Sequence, residues 1–276
     1  MEKEDSTFHY DQKFELEAGG SLSGIQLRYT TLGKLNRNRD NVIWVFHALT
    51  GSSDFTSWWS ELFKEGSVYD PRHYFIICAN MLGGCYGSTG PLSIDPKTGS
   101  PFYHTFPTIT NRDVVRAFDL LRVHLGIEKI HTLIGGSLGG QQTLEWAIAQ
   151  PDVFENIIPI ACNAWHSPWG IAFNEAQRLA IEADPTWKES AARAGAEGLK
   201  AARAIGMISY RHYDTFSKTQ SEKSADKLDD YRAASYQQYQ GQKLANRFNA
   251  FTYWILTKIM DSHHVGRRNK KGTVFF

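Results

Sequence analysis

The sequence predicts an α/β fold, a mostly parallel central sheet with helices on both faces and a helical segment inserted late in the chain. Two helical patterns, one that begins at a cap on Thr110 and one that ends before Pro151, alternate with strand-like runs. This alternation implies right-handed crossovers. From about residue 165 to 260 helical patterns replace that alternation. The strand-like runs are apolar enough to be buried on both faces, as in a parallel sheet: 41–47, 74–80, 130–134 and 157–162.

The remaining elements divide the chain into three segments. Short alternating runs over 14–17 and 25–31 predict additional strands near the start. The inserted segment contains helical patterns over 173–183, 189–209 and 231–260, with a polar stretch over 217–230. We therefore expect the segments 1–165 as the α/β core, 166–260 as a helical cap, and 261–276 as the start of an incomplete return to the core.

Composition excludes several function classes. The net charge of +1 gives no reason to expect nucleic acid or an anionic membrane as partner, and no apolar run is long enough to span a bilayer. The charged first residues carry no secretory signal. Three cysteines without C-x-x-C spacing predict reduced thiols, no metal site and a cytoplasmic protein.

The pattern G-x-S-x-G at residues 135–139 is the strongest functional signal. It follows the apolar run 130–134 directly and precedes the helical pattern 141–150. Strand, tight glycine-flanked turn and helix are the context of a nucleophile elbow, in which the serine stands on a strained turn. We therefore predict Ser137 as a nucleophile at the N-terminus of a helix.

A serine nucleophile requires an oxyanion hole. One donor is predicted to be the backbone N–H of Leu138, the residue after the nucleophile. The second is expected from the loop after an earlier strand, here residues 47–51, and Leu49 is our candidate. The long segment 81–107 is predicted to be a wall of the site entrance, with a surface Ω-loop as the alternative.

The serine also requires a histidine and an acid that orients it. After an elbow serine the acid precedes the histidine, which follows a late strand. None of the later histidines has that sequence setting, and each is more easily read as a surface or cap residue: His166, His212, His263 and His264.

Several segments together resemble one known family. They are 47–51 (HALTG), 80–91 (NMLGGCYGSTGP), 134–140 (IGGSLGG), 171–175 (IAFNE) and 184–185 (DP). This combination resembles homoserine O-acetyltransferase, an α/β-hydrolase-fold acyltransferase family of methionine biosynthesis, over about residues 14–266.

The resemblance implies a ping-pong reaction in which Ser137 takes acetyl from acetyl-CoA and passes it to the hydroxyl of L-homoserine. It implies that Arg203 binds the amino-acid carboxylate, that Tyr210 lines the same site, and that Thr50 lies near the oxyanion hole. It implies no cofactor beyond the co-substrate, and a homodimer through cap helices, with 231–242 as the candidate helix.

The chain departs from the family pattern near its end. The family's catalytic Asp and His lie beyond the cap, and the sequence contains no matching motif, so we expect the triad Asp and His to be absent from this chain, which looks truncated and should leave a sheet edge uncovered. Alternatives are therefore a succinyl donor or serine acceptor, an α/β-hydrolase esterase, and an inactive fragment that lacks its base.

Overall fold

A computed structural model describes residues 3–267. These residues form two compact units. The first unit contains residues 3–166 and 258–267, and the second contains residues 167–257.

The first unit is built on a six-stranded sheet. The strands of the chain are β1 (Lys3–Tyr10), β2 (Phe14–Glu15), β3 (Ser21–Leu22), β4 (Ile25–Leu32), β5 (Val42–Phe46), β6 (Phe75–Ala79), β7 (Ile130–Gly136) and β8 (Phe154–Ile160). The order in the sheet is β1-β4-β6-β5-β7-β8, and β2 pairs with β3 separately. The pairings from β6 through β8 are parallel, whereas β1–β4 and β4–β6 are antiparallel. The predicted mostly parallel sheet is confirmed.

Helices account for most of the remaining regular structure. They are α1 (Asn111–His124), α2 (Leu138–Ala149), α3 (Pro168–Glu182), α4 (Ala196–Ser209), α5 (Tyr213–Gln220), α6 (Arg232–Ala245) and α7 (Ala250–Asp261). The predicted cap at Thr110 is present: its side chain and that of Asp113 bond to each other's backbone N–H groups in a capping box. Those bonds satisfy donors that the first turn of α1 would otherwise leave without partners.

The sheet of the first unit is covered on two faces. On one face Trp44 and Phe46 of β5 contact Phe118 of α1 and Trp146 of α2. On the other, a cluster that includes Ile43 and Val45 packs against the segment 55–69. Every residue of β5 is buried as a result, which explains its continuous apolar sequence.

Several predicted boundaries are wrong. The run 157–162 was expected as a strand buried on both faces, but β8 spans 154–160 and exposes most of its side chains because it is the last strand of the described sheet. Helix α2 begins at Leu138, three residues before the predicted 141, because the elbow leads directly into it. The pattern 231–260 is two helices, since residues 246–249 leave the helical conformation between them.

Strand β1 was not predicted from the sequence. This strand is largely polar, and among its residues only Phe8 is buried. It pairs along its whole length with β4, so backbone hydrogen bonds rather than an apolar face hold it in the sheet. Helix α5 likewise begins ahead of the polar stretch 217–230 and exposes most of its residues.

Candidate active site

Ser137 connects β7 to α2 in a strained backbone conformation. Its φ of 58° and ψ of −120° lie in a region that L-residues with side chains rarely adopt. The Ser137 N–H donates to the Ile160 carbonyl at 2.9 Å, and its carbonyl accepts from the Gln141 N–H at 3.1 Å. Its hydroxyl neither caps α2 nor bonds to any residue within 3–267, so its lone pairs are available for attack.

The flanking glycines are required by close backbone packing. A Cβ at Gly135 would stand 2.6 Å from the carbonyl carbon of Gly139, and one at Gly139 would stand 2.6 Å from the carbonyl oxygen of Phe46. At Gly136, by contrast, the nearest atom is 3.7 Å away in the Trp59 ring. The G-x-S-x-G pattern therefore reflects two positions where a side chain has no room beside the serine.

Two backbone amides at this edge of the sheet are available to bind an anion. Strands β5 and β7 are parallel neighbours, with Phe46 opposite Gly135, so their following loops start side by side. The N–H groups of Leu49 and Leu138 make no hydrogen bond to any residue of the described segment 3–267. Leu138 is also the first residue of α2, where the helix dipole favours negative charge. Free amides beside an unbonded serine hydroxyl are the elements of an oxyanion hole.

A buried histidine fixes the loop that contains Leu49. The Nδ1 atom of His47 lies 2.9 Å from the Ala48 carbonyl oxygen, and its Nε2 atom lies 3.3 Å from the Met81 N. A carbonyl only accepts and an N–H only donates, so the ring is neutral with its proton on Nδ1. Burial lowers the pKa of His47 to about 4, which keeps it neutral. The Sδ atom of Met81 accepts from the Gln142 side chain of α2, so one chain of bonds joins the ends of β5 and β6 to α2.

The start of segment 81–107 is also held by buried polar groups. The Asn80 side chain bonds to the Ser53 backbone and hydroxyl and to the Tyr86 carbonyl, and the Ser88 hydroxyl donates to the Asn80 carbonyl. The segment is therefore packed against the end of β6. Its role as an entrance wall stays a prediction.

Comparisons with known proteins agree with this geometry. A family model described as alpha/beta hydrolase fold matches residues 41–262. Homoserine O-acetyltransferase of Cyclobacterium marinum is 55% identical over 267 residues, which are 97% of this chain and 76% of that protein. The enzyme of the same name from Trichormus variabilis is 46% identical over 94% of this chain and 73% of its own length.

The chain belongs to the homoserine O-acetyltransferase family. Its fold also matches the crystal structure of homoserine O-acetyltransferase from Bacillus anthracis, with a TM-score of 0.86 and 25% identity over 95% of this chain and 76% of that one. The α/β-hydrolase fold and the family that the motifs predicted are both confirmed.

The site residues that the elbow pattern and the family resemblance predicted lie in both units. Ser137, Leu138 and Leu49 lie together at the carboxyl edge of the sheet, and Thr50 follows Leu49 in the same loop. Arg203 and Tyr210 lie on and directly after α4 of the second unit, where the Arg203 guanidinium carbon is 5.8 Å from the centre of the Tyr210 ring. The buried Nε of Arg203 has no hydrogen-bond partner among residues 3–267, and no carboxylate of that segment pairs with this cation.

Among the later histidines, none within residues 3–267 bonds to the Ser137 hydroxyl. His263 is fully buried, with Nε2 2.9 Å from the Asn163 carbonyl and Nδ1 3.4 Å from a Glu145 oxygen. His264 is exposed and stacks on Trp165 at 6.1 Å, and exposed His212 lies beside Asp214. His166 contacts Gln141 through Nδ1. All four histidine side chains therefore have structural contacts, and none of these contacts places a histidine as the base for Ser137.

Other kinds of site are not indicated in the segment that the structure describes. Within it no three His, Cys, Asp or Glu side chains converge as metal ligands. None of its helices combines the length and apolar character needed to cross a membrane.

The structural role of His47 was not predicted. A histidine at the end of a buried strand has no sequence signal that distinguishes a residue that holds a loop from a catalytic base. Its role is visible only in its two backbone contacts, one with the adjacent Ala48 carbonyl and one with the N–H of Met81, which is distant in sequence.

Proposed function

We propose that this chain is an acyltransferase that transfers an acetyl group from acetyl-CoA to the side-chain hydroxyl of L-homoserine through an acyl-Ser137 intermediate. The observation that carries the proposal is the strained Ser137, whose hydroxyl makes no hydrogen bond within residues 3–267, beside the Leu49 and Leu138 amides, which also lack partners in that segment. The names of the relatives support the choice of acetyl and homoserine.

In the first half-reaction the Ser137 oxygen attacks the thioester carbonyl. The carbonyl oxygen gains negative charge, which the amides of Leu49 and Leu138 stabilise more strongly than the uncharged ground state. The carbon–sulfur bond then breaks, and the coenzyme A thiol leaves with the proton that Ser137 gave up. In the second half-reaction the homoserine hydroxyl attacks the acyl-serine carbonyl, and the same amides stabilise the negative charge. The bond between the acyl carbon and the Ser137 oxygen then breaks, and Ser137 takes up the proton that the homoserine hydroxyl loses.

Proton transfer needs a base, and we propose that it is not among His166, His212, His263 and His264. Their contacts with backbone, tryptophan or surface carboxylate place no ring nitrogen on the serine hydroxyl. An oxyanion hole and substrate binding alone retain about 10³- to 10⁴-fold catalysis over water in serine enzymes that lack triad members. Acylation by an activated ester is therefore the reaction to measure first.

For the acceptor we propose that Arg203 binds the carboxylate of L-homoserine. A guanidinium stays charged at all physiological pH values and offers paired N–H donors that match a carboxylate. Arg203 is suited to this because no described carboxylate already pairs with it. Tyr210, whose ring faces the guanidinium, lines the same site, and Thr50 borders the oxyanion hole in our proposal.

The experiment is acylation followed by a chase. The chain is incubated with p-nitrophenyl acetate or acetyl-CoA, and peptide mass spectrometry locates the acetyl group. We expect it on Ser137, absent in Ser137→Ala and retained in the matched control Ser235→Ala, an exposed serine of α6. Adding L-homoserine should yield O-acetylhomoserine.

Each alternative gives a different product. Release of acetate without acceptor would identify an esterase, and label transferred from succinyl-CoA or to L-serine would change the donor or acceptor. No label on Ser137 from any ester would contradict the nucleophile itself and favour an inactive chain.

We further propose a cytoplasmic homodimer that associates through helices of the second unit. Support comes from large exposed side chains there, namely Tyr213, Leu228, Tyr231 and Tyr239. Light scattering after size exclusion should give twice the chain mass, and Tyr239→Glu should shift it toward the single chain.

A further inference from the structure

A buried polar cluster in the second unit lies next to the candidate carboxylate-binding residues. It is formed by Gln177 of α3, Gly206 of α4 and Tyr253 of α7, of which Gln177 is 1% and Tyr253 0% exposed. Polar groups this deeply buried are costly unless their hydrogen bonds are specific. Neither side chain has a role in the sequence patterns discussed above.

The direction of the hydrogen bond between Gln177 and Tyr253 is fixed. The Gln177 Nε2 donates to the Phe173 carbonyl at 2.8 Å, so its Oε1 is the atom that faces Tyr253. That oxygen only accepts, and the Tyr253 hydroxyl therefore donates its single proton to Gln177. Burial raises the pKa of Tyr253 well above its ordinary value, which keeps the proton in place. The phenol oxygen of Tyr253 remains as an acceptor only.

Gly206 provides the space in which the phenols approach each other. A Cβ at this position would lie 2.9 Å from the Gln177 Oε1 and 3.4 Å from the hydroxyl oxygens of both Tyr210 and Tyr253. Gly206 lies three residues after Arg203 and four before Tyr210, so the three share one face of the α4 segment. The glycine thus leaves a gap in that face into which both hydroxyls point.

We propose that Tyr253, oriented by Gln177, is a positioning residue for the acyl acceptor, acting through Tyr210 on Arg203. The Tyr210 and Tyr253 hydroxyls contact each other beside Gly206, so the acceptor-only oxygen of Tyr253 orients the Tyr210 hydroxyl. The Tyr210 ring in turn holds the Arg203 guanidinium by a cation–π contact. An α-amino-acid carboxylate then meets a guanidinium already held in place, which lowers the entropy cost of binding. This inference rests on the function proposed above.

Direct binding of L-homoserine tests the proposal without requiring turnover. Calorimetry on the whole chain measures Kd for the unaltered protein and for Tyr253→Phe, Gln177→Leu and Gly206→Ala. We expect Tyr253→Phe and Gln177→Leu each to weaken binding about tenfold, the size of one hydrogen bond to an oriented polar group. The double variant should weaken it little further, because both changes break the same chain of contacts.

The matched control is Tyr213→Phe, which removes a phenol that is 79% exposed on the same unit and should leave Kd unchanged. The ligand control is 3-aminopropan-1-ol, which keeps the amine and hydroxyl of homoserine but lacks the carboxylate. Its weak binding should not differ between the unaltered protein and Tyr253→Phe. Circular dichroism identifies any variant that fails to fold. In that case Gly206→Ala provides the independent test, and we expect it to weaken L-homoserine binding by a similar factor.

The outcomes separate this inference from the function on which it rests. If the unaltered chain binds L-homoserine and folded Tyr253→Phe binds it equally well, the positioning role is wrong and the acceptor assignment stands. If Tyr253→Phe also weakens the binding of 3-aminopropan-1-ol to the same degree, the effect does not depend on the carboxylate and the inference fails. If Ser137 becomes acetylated but the unaltered chain does not bind L-homoserine, the acceptor is wrong and this proposal falls with it.

Discussion

Gly139 of α2 lies directly against the carbonyl of Phe46 at the end of β5. A Cβ on the glycine would stand 2.6 Å from that oxygen. This contact joins the helix that begins with Leu138 to the strand that leads into the Leu49 loop, so the two proposed oxyanion donors belong to one packed unit. This backbone packing and the His47 side chain, which holds the Leu49 loop, together place the donors relative to Ser137.

Gly135→Ala should therefore destabilise the first unit and displace the elbow. The added methyl group would overlap the Gly139 carbonyl, and forced overpacking of this kind costs about 1–3 kcal/mol. Urea unfolding measures the change in the free energy of unfolding. The matched control is Gly136→Ala, whose methyl group meets the Trp59 ring at an ordinary 3.7 Å. Equal stabilities of the two variants would show that crowding does not select the glycine at position 135.

His47 should make the folded chain less stable as the pH falls. Burial lowers its pKa from 6.5 to about 4, so between these values the unfolded chain binds a proton that the folded chain does not. Stability supplied by the neutral ring is complete above about pH 6.5 and is lost toward pH 4, which amounts to about 2 kcal/mol between pH 7 and pH 5.

Urea unfolding at the two pH values tests this. His47→Gln should reduce the difference between them by about 2 kcal/mol. The control His9→Gln removes an exposed histidine and should keep the difference. A pH dependence identical in all three proteins would contradict the buried neutral ring.

Sequence patterns predicted the parts of the fold and site that depend on strong local signals. Ser137 lies between an apolar strand and a helix whose N-terminus has no side-chain cap. The close backbone packing on both sides of it leaves room only for glycine at positions 135 and 139. The buried strand β5 was equally clear because both of its faces are covered. Strand β1 was missed because an edge strand held by backbone pairing needs no apolar pattern.

The polar interior of the second unit was not predictable for a different reason. Gln177 and Tyr253 lie 76 residues apart in sequence, and each looks like an ordinary residue of an amphipathic helix. Their bond depends on how α3 and α7 pack, and no local spacing encodes that. The same holds for Glu145 and His263, which are joined only in the folded first unit.

Glu145→Ala should be destabilising. One Glu145 oxygen pairs with the Arg112 Nε at 3.2 Å, and the other faces His263 Nδ1 at 3.4 Å in a geometry too poorly aligned for a hydrogen bond. Arg112 also bonds to Glu17 and to the Arg267 carbonyl, so the cluster attaches the segment after α7 to the core. Arg112 is 26% exposed and keeps Glu17, so we expect a loss of about 1–3 kcal/mol, the cost of leaving buried polar groups without a partner.

The free energy of unfolding in urea measures this loss. Glu145→Gln should retain more stability than Glu145→Ala, because an amide oxygen still accepts from Arg112 and its NH₂ group can donate to the His263 Nδ1. Exposed Glu128→Ala is the control and should change stability by less than about 0.5 kcal/mol. A loss no greater than that of the control would mean that the cluster contributes no net stability.

Arg203→Lys should weaken L-homoserine binding about tenfold or more while leaving the chain folded. Lysine keeps the positive charge but loses the planar, paired donors that match a carboxylate, so the remaining contact is a single point charge. Calorimetric Kd values measure the change, and Arg211→Lys, an exposed arginine that bonds to Tyr236, is the matched control. Both variants should bind 3-aminopropan-1-ol like the unaltered chain, because that ligand has no carboxylate to lose. Unchanged homoserine affinity in Arg203→Lys would show that Arg203 does not bind the carboxylate and would contradict the role proposed for it.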